Sequence, residues 1–266
     1  MSSTATIPAE ARPSSTVVVV REGNSGPELL MVLRHAKSAF GASYVFPGGV
    51  LENTDQNIGA ISSGLDDTAA NAVLGLPAGG AAYFSAAIRE LFEEAGILLA
   101  RTSDGDWVNT RPFSTQREDL NGGRLIWSDF VRDNKLSLAY DALHYFSFWV
   151  TPREAPKRFS TRFFIAALPN GQEVKHCGGE LTDSRWMGPA EAIAADKAGE
   201  IAIPHPTQLT LRKLGEFGTL ESMLQWAAQC AKAGVDCYLP AVITIDGSQE
   251  VVMPDNPNYP TYPDGQ

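Results

Sequence analysis

The sequence predicts an α/β protein, a single α/β/α sandwich around a mixed sheet with helical additions. Three observations carry this. Thr16 to Arg21 is a β-branched run of the kind that forms a buried strand. Ala81 to Ala95 places Phe84, Ile88, Leu91 and Ala95 at helical spacing, one apolar stripe on one face. Leu143 to Val150 and Phe159 to Leu168 are aromatic and β-branched runs joined by the proline-rich turn Thr151 to Lys157, which reads as a hairpin. The chain has 266 residues, 44% hydrophobic and 20% charged, a composition that supports a sizeable core. It shows no internal repeat and no clear linker, so residues 16–252 are expected to form one domain.

The other elements follow in order. Residues 1–15 are rich in Ser, Thr, Pro and Ala and read as a flexible arm. Glu28 to Leu33 is a second strand, paired with the first across the turn Gly23 to Pro27. Tyr44 to Val50 is a strand running into a Gly48-Gly49 turn. Ile97 to Ala100 returns as a strand, and Asp104 to Lys135 holds short helices, one opening near Ser114 and one within Arg124 to Arg132. A strand runs from Gly178-Gly179-Glu180-Leu181 through Trp186, followed by a helix from Pro189 to Ala198. The helical addition at 204–231 comprises His205 to Phe217 and Leu220 to Cys230, with Thr219 as cap and Met223, Trp226 and Ala227 in the core. Tyr238 to Ile245 and Gln249 to Val252 form a hairpin across Asp246-Gly247, a favoured turn pair. Residues 253–266 are an extended tail.

The stretch Arg89-Glu90-Leu91-Phe92-Glu93-Glu94-Ala95-Gly96-Ile97 organises the rest. At about 100° per residue, Glu93 lies ~60° to one side of Glu90 and Glu94 ~40° to the other. Gly96 ends the helix, since glycine tolerates the left-handed conformation found there. Like charges at this spacing repel. A divalent cation reverses that sign, and carboxylate oxygens suit Mg²⁺ or Mn²⁺. Glu93-Glu94 alone reads as a solvated helix face; the residues upstream change the reading.

Phe46-Pro47-Gly48-Gly49-Val50 followed by R-E-L-F-E-E-A-G-I resembles the signature of the Nudix hydrolase family, G-x5-E-x7-R-E-U-x-E-E-x-G-U with U aliphatic. Counted from Gly49, the first Glu of the signature falls on Asp55; counted back from Arg89, it falls on Ala81. Residues 56–80 therefore read as an insert, with a short helix at Asp66 to Leu74, and Asp55 as the displaced acid. A signature interrupted in this way resembles the coenzyme A diphosphatase branch of the family. The resemblance implies a Nudix-type α/β/α sandwich, metal ligands Glu90, Glu93 and Glu94, and an Arg89 that orients a glutamate. It also implies an acidic residue outside the signature as a further ligand or base, for which Glu180 is the first choice and Asp183 the second. The base stays open between a metal-bound hydroxide, Glu93 and Glu180. Arg34 with His35 and Lys37 is either a solvated loop or a contact for substrate phosphates, and Arg34, Gly41, Phe46, Gly48 and Gly49 are partly similar to a motif of that branch. Arg158 and Arg162 are either surface ion-pairing groups or substrate contacts in a hairpin similar to that of the branch.

A net charge of −10 argues against a nucleic-acid-binding surface. Cys177, Cys230 and Cys237 fit neither a disulfide framework nor a zinc motif. No signal peptide, membrane span or S-K-L ending is present in the sequence, so a cytoplasmic protein is expected. His35, His144, His176 and His205 are scattered, and no nucleophile elbow occurs. The expected activity is metal-dependent hydrolysis of a small nucleoside diphosphate-linked substrate: coenzyme A or acyl-CoA first, ADP-ribose or a dinucleotide second. A Nudix-shaped binding module without turnover is the rival reading from another class. A homodimer is possible through a sheet edge or the insert.

Overall fold

The computed structural model describes residues 8–34, 42–56, 58, 62–175 and 181–262. In chain order the strands and helices are β1 Ala11–Gly23, β2 Gly26–Arg34, β3 Ser43–Val45, β4 Gly48–Val50, β5 Ser62–Ser63, α1 Asp67–Leu74, α2 Gly80–Ala95, β6 Ala100–Arg101, α3 Ser114–Asn121 and α4 Trp127–Asp133. They continue as β7 Ser137–Ala139, β8 His144–Val150, β9 Arg158–Ala167, β10 Leu181–Met187, α5 Pro189–Lys197, α6 His205–Leu214, α7 Leu220–Ala233, β11 Cys237–Tyr238, β12 Ala241–Ile245 and β13 Ser248–Val252.

The main sheet runs β10-β2-β1-β9-β8-β11, with β3 on β2 and β4 on β1. Its central pair, β1 and β9, is parallel from Ala11 opposite Arg158 to Val20 opposite Ala167. β1–β2 and β8–β9 are antiparallel, so the sheet is mixed. Val17, Val18, Val19 and Val20 are all fully buried, which explains why this strand reads as an unbroken apolar run. One face carries Val17, Val19, Leu30, Val32 and Phe164 against Phe84, Ile88 and Leu91 of α2. The other carries Val18, Met31, Phe163 and Ile165 against Leu211 and Leu214 of α6 and Met223 and Ala227 of α7. The result is the expected sandwich.

Near the site, β1 and β2 part. They pair only through Val20–Gly23 and Gly26–Leu29; beyond that β3 takes β2 and β4 takes β1. Phe46 and Pro47 sit between these short strands, and Val17 N–H donates to the Pro47 carbonyl at 2.9 Å. Gly48 and Gly49 are thus strand residues opposite Thr16 and Ser15, rather than the expected turn.

Several boundaries differ from expectation. The arm is shorter than 1–15, because Ala11 to Ser15 already pair with β9. Ile97 to Leu99 are buried but not a strand: the Gln172 amide accepts from Leu98 N–H at 2.8 Å and donates to its carbonyl at 2.9 Å, replacing a strand partner. The tail is pinned at Tyr259, whose hydroxyl donates to the Leu239 carbonyl at 2.6 Å. The terminal hairpin forms as expected, with positive φ at Asp246 and Gly247. Among the described residues no helix is long and apolar enough to cross a membrane.

Candidate active site

The segment read as an insert carries helix α1, which is capped by Asp66, whose side chain accepts from Ala69 N–H, and packs beside the start of α2. Asn71 Oδ1 accepts from Gly80 N–H at 2.6 Å and Asp67 Oδ1 from Ala81 N–H at 3.1 Å. Two of the free N–H groups at the start of α2 are satisfied by the neighbouring helix instead of a local cap. At the other end Gly96 adopts φ 72°, as predicted.

Arg89 joins the two halves. Its guanidinium is buried and its fork meets the Asp55 carboxylate, Nε to Oδ1 at 3.1 Å and Nη2 to Oδ2 at 3.0 Å. Nη2 also donates to the Val50 carbonyl at 2.9 Å, while Nη1 reaches Glu90 at 2.9 Å and Glu93 at 3.5 Å. Asp55 receives further hydrogen bonds from Ser85 Oγ and from Glu52 N–H. Trp127 Nε1–H in turn donates to Ser85 Oγ at 2.9 Å. Asp55 thus lies against the helix across the insert, as a buried counter-charge for Arg89.

The carboxylates of α2 meet the glycine segment. Glu94 accepts from Gly48 N–H at 3.0 Å and pairs with Arg34 at 3.5 Å, and Arg34 donates to the Gly48 carbonyl. Both sides of the Gly48 peptide are held. A Cβ on Gly49 would lie 2.3–2.6 Å from the Glu90 carboxylate, and one on Gly48 would lie 2.3 Å from the Ser15 carbonyl. Backbone excludes a side chain at Gly48, whereas one at Gly49 would push the Glu90 carboxylate aside. Burial pushes the Glu90 carboxyl above the usual carboxylate range, against the pull of Arg89. Burial likewise pushes Glu93 up to about 7, with Arg89 opposing and Glu90 adding to the rise.

The donor set has the chemistry of a hard-cation site: carboxylates on one helix face, two of them ionising reluctantly without a counter-charge. Among the described residues, however, no three acidic, imidazole or thiol side chains converge into a complete cation site. Arg89 holds Glu90 and Glu93, and Gly48 with Arg34 holds Glu94.

A cavity of about 480 Å³ opens beside this segment. Arg34, Phe46, Gly48 and Gly49 line it, as do Trp149, Phe163 and His205. Arg158 and Arg162 do not. Arg158 donates to the Thr151 and Ala9 carbonyls, and buried Arg162 lies between the rings of Tyr83 and Phe148 at 4.3 and 4.5 Å. The alternation of β9 sends Arg162 to the α2 face while Thr161 and Phe163 face the cavity. Glu180, with His35, Lys37, Gly41 and His176, lies outside the described residues. Asp183 is engaged by the Tyr44 hydroxyl and by Arg185 at 3.2 Å, and does not line the cavity. The parts sequence reasoning missed are Asn71 and Asp67 at the helix start and the cavity residues Trp149, His205, Pro240 and Val251, drawn from segments with no local motif.

A family model described as the NUDT19 Nudix domain matches residues 64–214. The chain belongs to the Nudix family. The matched span holds the Nudix helix α2, while Arg34, the glycine segment and Asp55 precede it. Human acyl-coenzyme A diphosphatase NUDT19 is 30% identical over 188 residues, 65% of this Nudix chain and 50% of that protein. The Xenopus laevis protein of the same name is 26% identical over 282 residues, 92% of this chain and 74% of that one. The chain spans about half the length of the human and Caenorhabditis elegans relatives it matches. The crystal structure of a NUDIX hydrolase from Alicyclobacillus acidocaldarius superposes with a TM-score of 0.69 at 26% identity, covering 81% of this chain and 96% of that one.

Proposed function

We propose that this Nudix protein hydrolyses the diphosphate linkage of coenzyme A or an acyl-CoA, giving 4′-phosphopantetheine or its acyl form and 3′,5′-ADP. The observation that carries the reading is the meeting of Glu94 with Gly48 and of Glu90 with Gly49 beside a substrate-sized cavity, with Glu93 tied to the same helix face by Arg89. Relatives that bear the name acyl-coenzyme A diphosphatase support the substrate class.

Glu90, Glu93 and Glu94 would hold Mg²⁺ or Mn²⁺, which when bound neutralises diphosphate charge and lowers the pKa of water. The chain's own residues do the rest. Arg89, locked by Asp55, fixes where Glu90 and Glu93 point. Arg34, partly exposed at the cavity edge, presents cationic charge to a phosphate oxygen. Glu93, held by Arg89 at 3.5 Å, and Glu180 are the side chains proposed to take a proton from an attacking water.

Incubation of the protein with coenzyme A, an acyl-CoA, ADP-ribose and a dinucleotide, with Mg²⁺ or Mn²⁺, tests this. Release of 3′,5′-ADP from the first two is expected. Turnover of ADP-ribose with coenzyme A untouched would overturn the substrate assignment, and no turnover of any diphosphate would overturn the enzymatic one.

A further inference from the structure

The cavity beside the glycine segment has a wall that comes from outside the matched Nudix span. Pro240 and Val251 line it, and both belong to the C-terminal stretch beyond residue 214. β12 and β13 pair only with each other, as a separate two-stranded sheet. The hairpin is rooted by buried Ala241 and Val252 and latched to the turn between β8 and β9. There the Glu154 carboxylate accepts from the Tyr262 hydroxyl at 3.1 Å and from Val242 N–H at 3.5 Å. The Arg153 guanidinium lies 4.2 Å from the Tyr262 ring centre. Trp149, which lines the same cavity, stacks on Tyr238 at 4.8 Å just before the hairpin.

The lining discriminates between the two halves of the proposed substrate. Among the described residues that line the cavity, Arg34 is the one arginine or lysine, and it sits at the glycine segment and is engaged with Glu94. The remaining surface is dominated by Trp149, Phe159, Phe163, Ile203, Pro240 and Val251. Among the described lining residues a 3′-phosphate would find no second guanidinium or ammonium group as counter-charge, and burying it there is costly. An uncharged amide and thioester arm has no such cost, and Thr161, Thr207 and His205 offer it polar contacts. His205 Nε2 is buried without a hydrogen-bond partner among the described residues.

Resting on the coenzyme A reading, we propose that this cavity receives the acyl-pantetheine arm and that the β12–β13 hairpin is the wall that selects acyl length. Val251 is the residue to change, because it lines the cavity and, at 48% exposed, is not packed into the core. The test compares kcat/KM for octanoyl-CoA and for coenzyme A in wild type, Val251→Trp and Glu154→Ala. The ratio is expected to fall at least about tenfold in Val251→Trp, which fills the cavity, and to fall in Glu154→Ala, which releases the latch. Ratios within about twofold of wild type in both folded variants would overturn the proposal. Calorimetric titration with S-octanoyl pantetheine, which has no diphosphate, gives a second readout. Binding to wild type that weakens in Val251→Trp supports the wall even if no diphosphate is hydrolysed, whereas absence of binding to wild type overturns it. Failure of hydrolysis alone counts against the activity and leaves the cavity test intact.

Discussion

Arg89 and Asp55 show how much a single residue pair carries. Both are buried, and the fork of one meets the carboxylate of the other. Removing Asp55 leaves Arg89 its contacts with Glu90 and Glu93 but strips Nε and one bond of Nη2 of their buried acceptor. Asp55→Ala is therefore expected to cost about 1–3 kcal/mol of stability, measured by urea unfolding. A loss below about 1 kcal/mol would mean the pair is not the bolt described. Gly49 makes a different prediction. A methyl group at this position would fall on the Glu90 carboxylate, so Gly49→Ala should displace Glu90. Hydrolysis is expected to drop by about 100-fold with the fold retained, since ~1 Å of misplacement costs that much. Unchanged turnover in the folded variant would remove Glu90 from the site. At this scale the sequence was informative where residue type and spacing are strict. Gly48 meets Glu94, Gly49 meets Glu90, and Asp55 lies against Arg89. Arg158 and Arg162 lie off the cavity, because a hairpin motif does not say which face of a strand a side chain takes.

At the scale of elements, α2 was legible because its apolar stripe, Phe84 to Ala95, repeats over about three turns and its end is marked by Gly96. Its start, expected at Ala81, falls at Gly80; what the sequence did not show is that the acceptors for Gly80 and Ala81 N–H come from Asn71 and Asp67 in another helix. Asn71→Ala is expected to lower stability by about 1 kcal/mol, the typical worth of a lost helix-start partner. Thermal unfolding would show this, and no change in the melting midpoint would deny α1 its capping role. Ile97 to Leu99 misled for a similar reason. Their apolar run looks like a strand, but Gln172, far along the chain, takes the place of a neighbouring backbone. The short β3 and β4 read as one strand and a turn because the parting of β1 and β2 that divides them is a property of the sheet.

At the scale of the whole molecule, the sandwich sets the site where a helix from one layer meets the splayed edge of the central strands, with the cavity alongside. The alternation of valines on β1 made the two-layered burial readable, whereas the cavity could not be read. Its walls come from β8, β9, the segment before α6 and the C-terminal hairpin. Burying carboxylates on α2 has a pH signature. Burial holds Glu93 at about 7, above the usual carboxylate range, so the folded chain keeps a proton that the unfolded chain has released. Its contribution to stability is full below the usual glutamate value and is lost as pH rises through about 7. With chelator present, the melting temperature should fall between about pH 5 and about pH 8, and Glu93→Gln should flatten that slope. A slope unaltered by the substitution would mean Glu93 titrates normally.

Titration of Mn²⁺ into wild type and Glu94→Gln, followed by electron paramagnetic resonance with coenzyme A hydrolysis assayed in parallel, tests the carboxylate face most directly. Wild type is expected to bind the ion, and Glu94→Gln to bind it more than about tenfold more weakly with a matching loss of hydrolysis. Equal affinity and equal turnover in the two proteins would contradict the assignment of this helix face as the cation site.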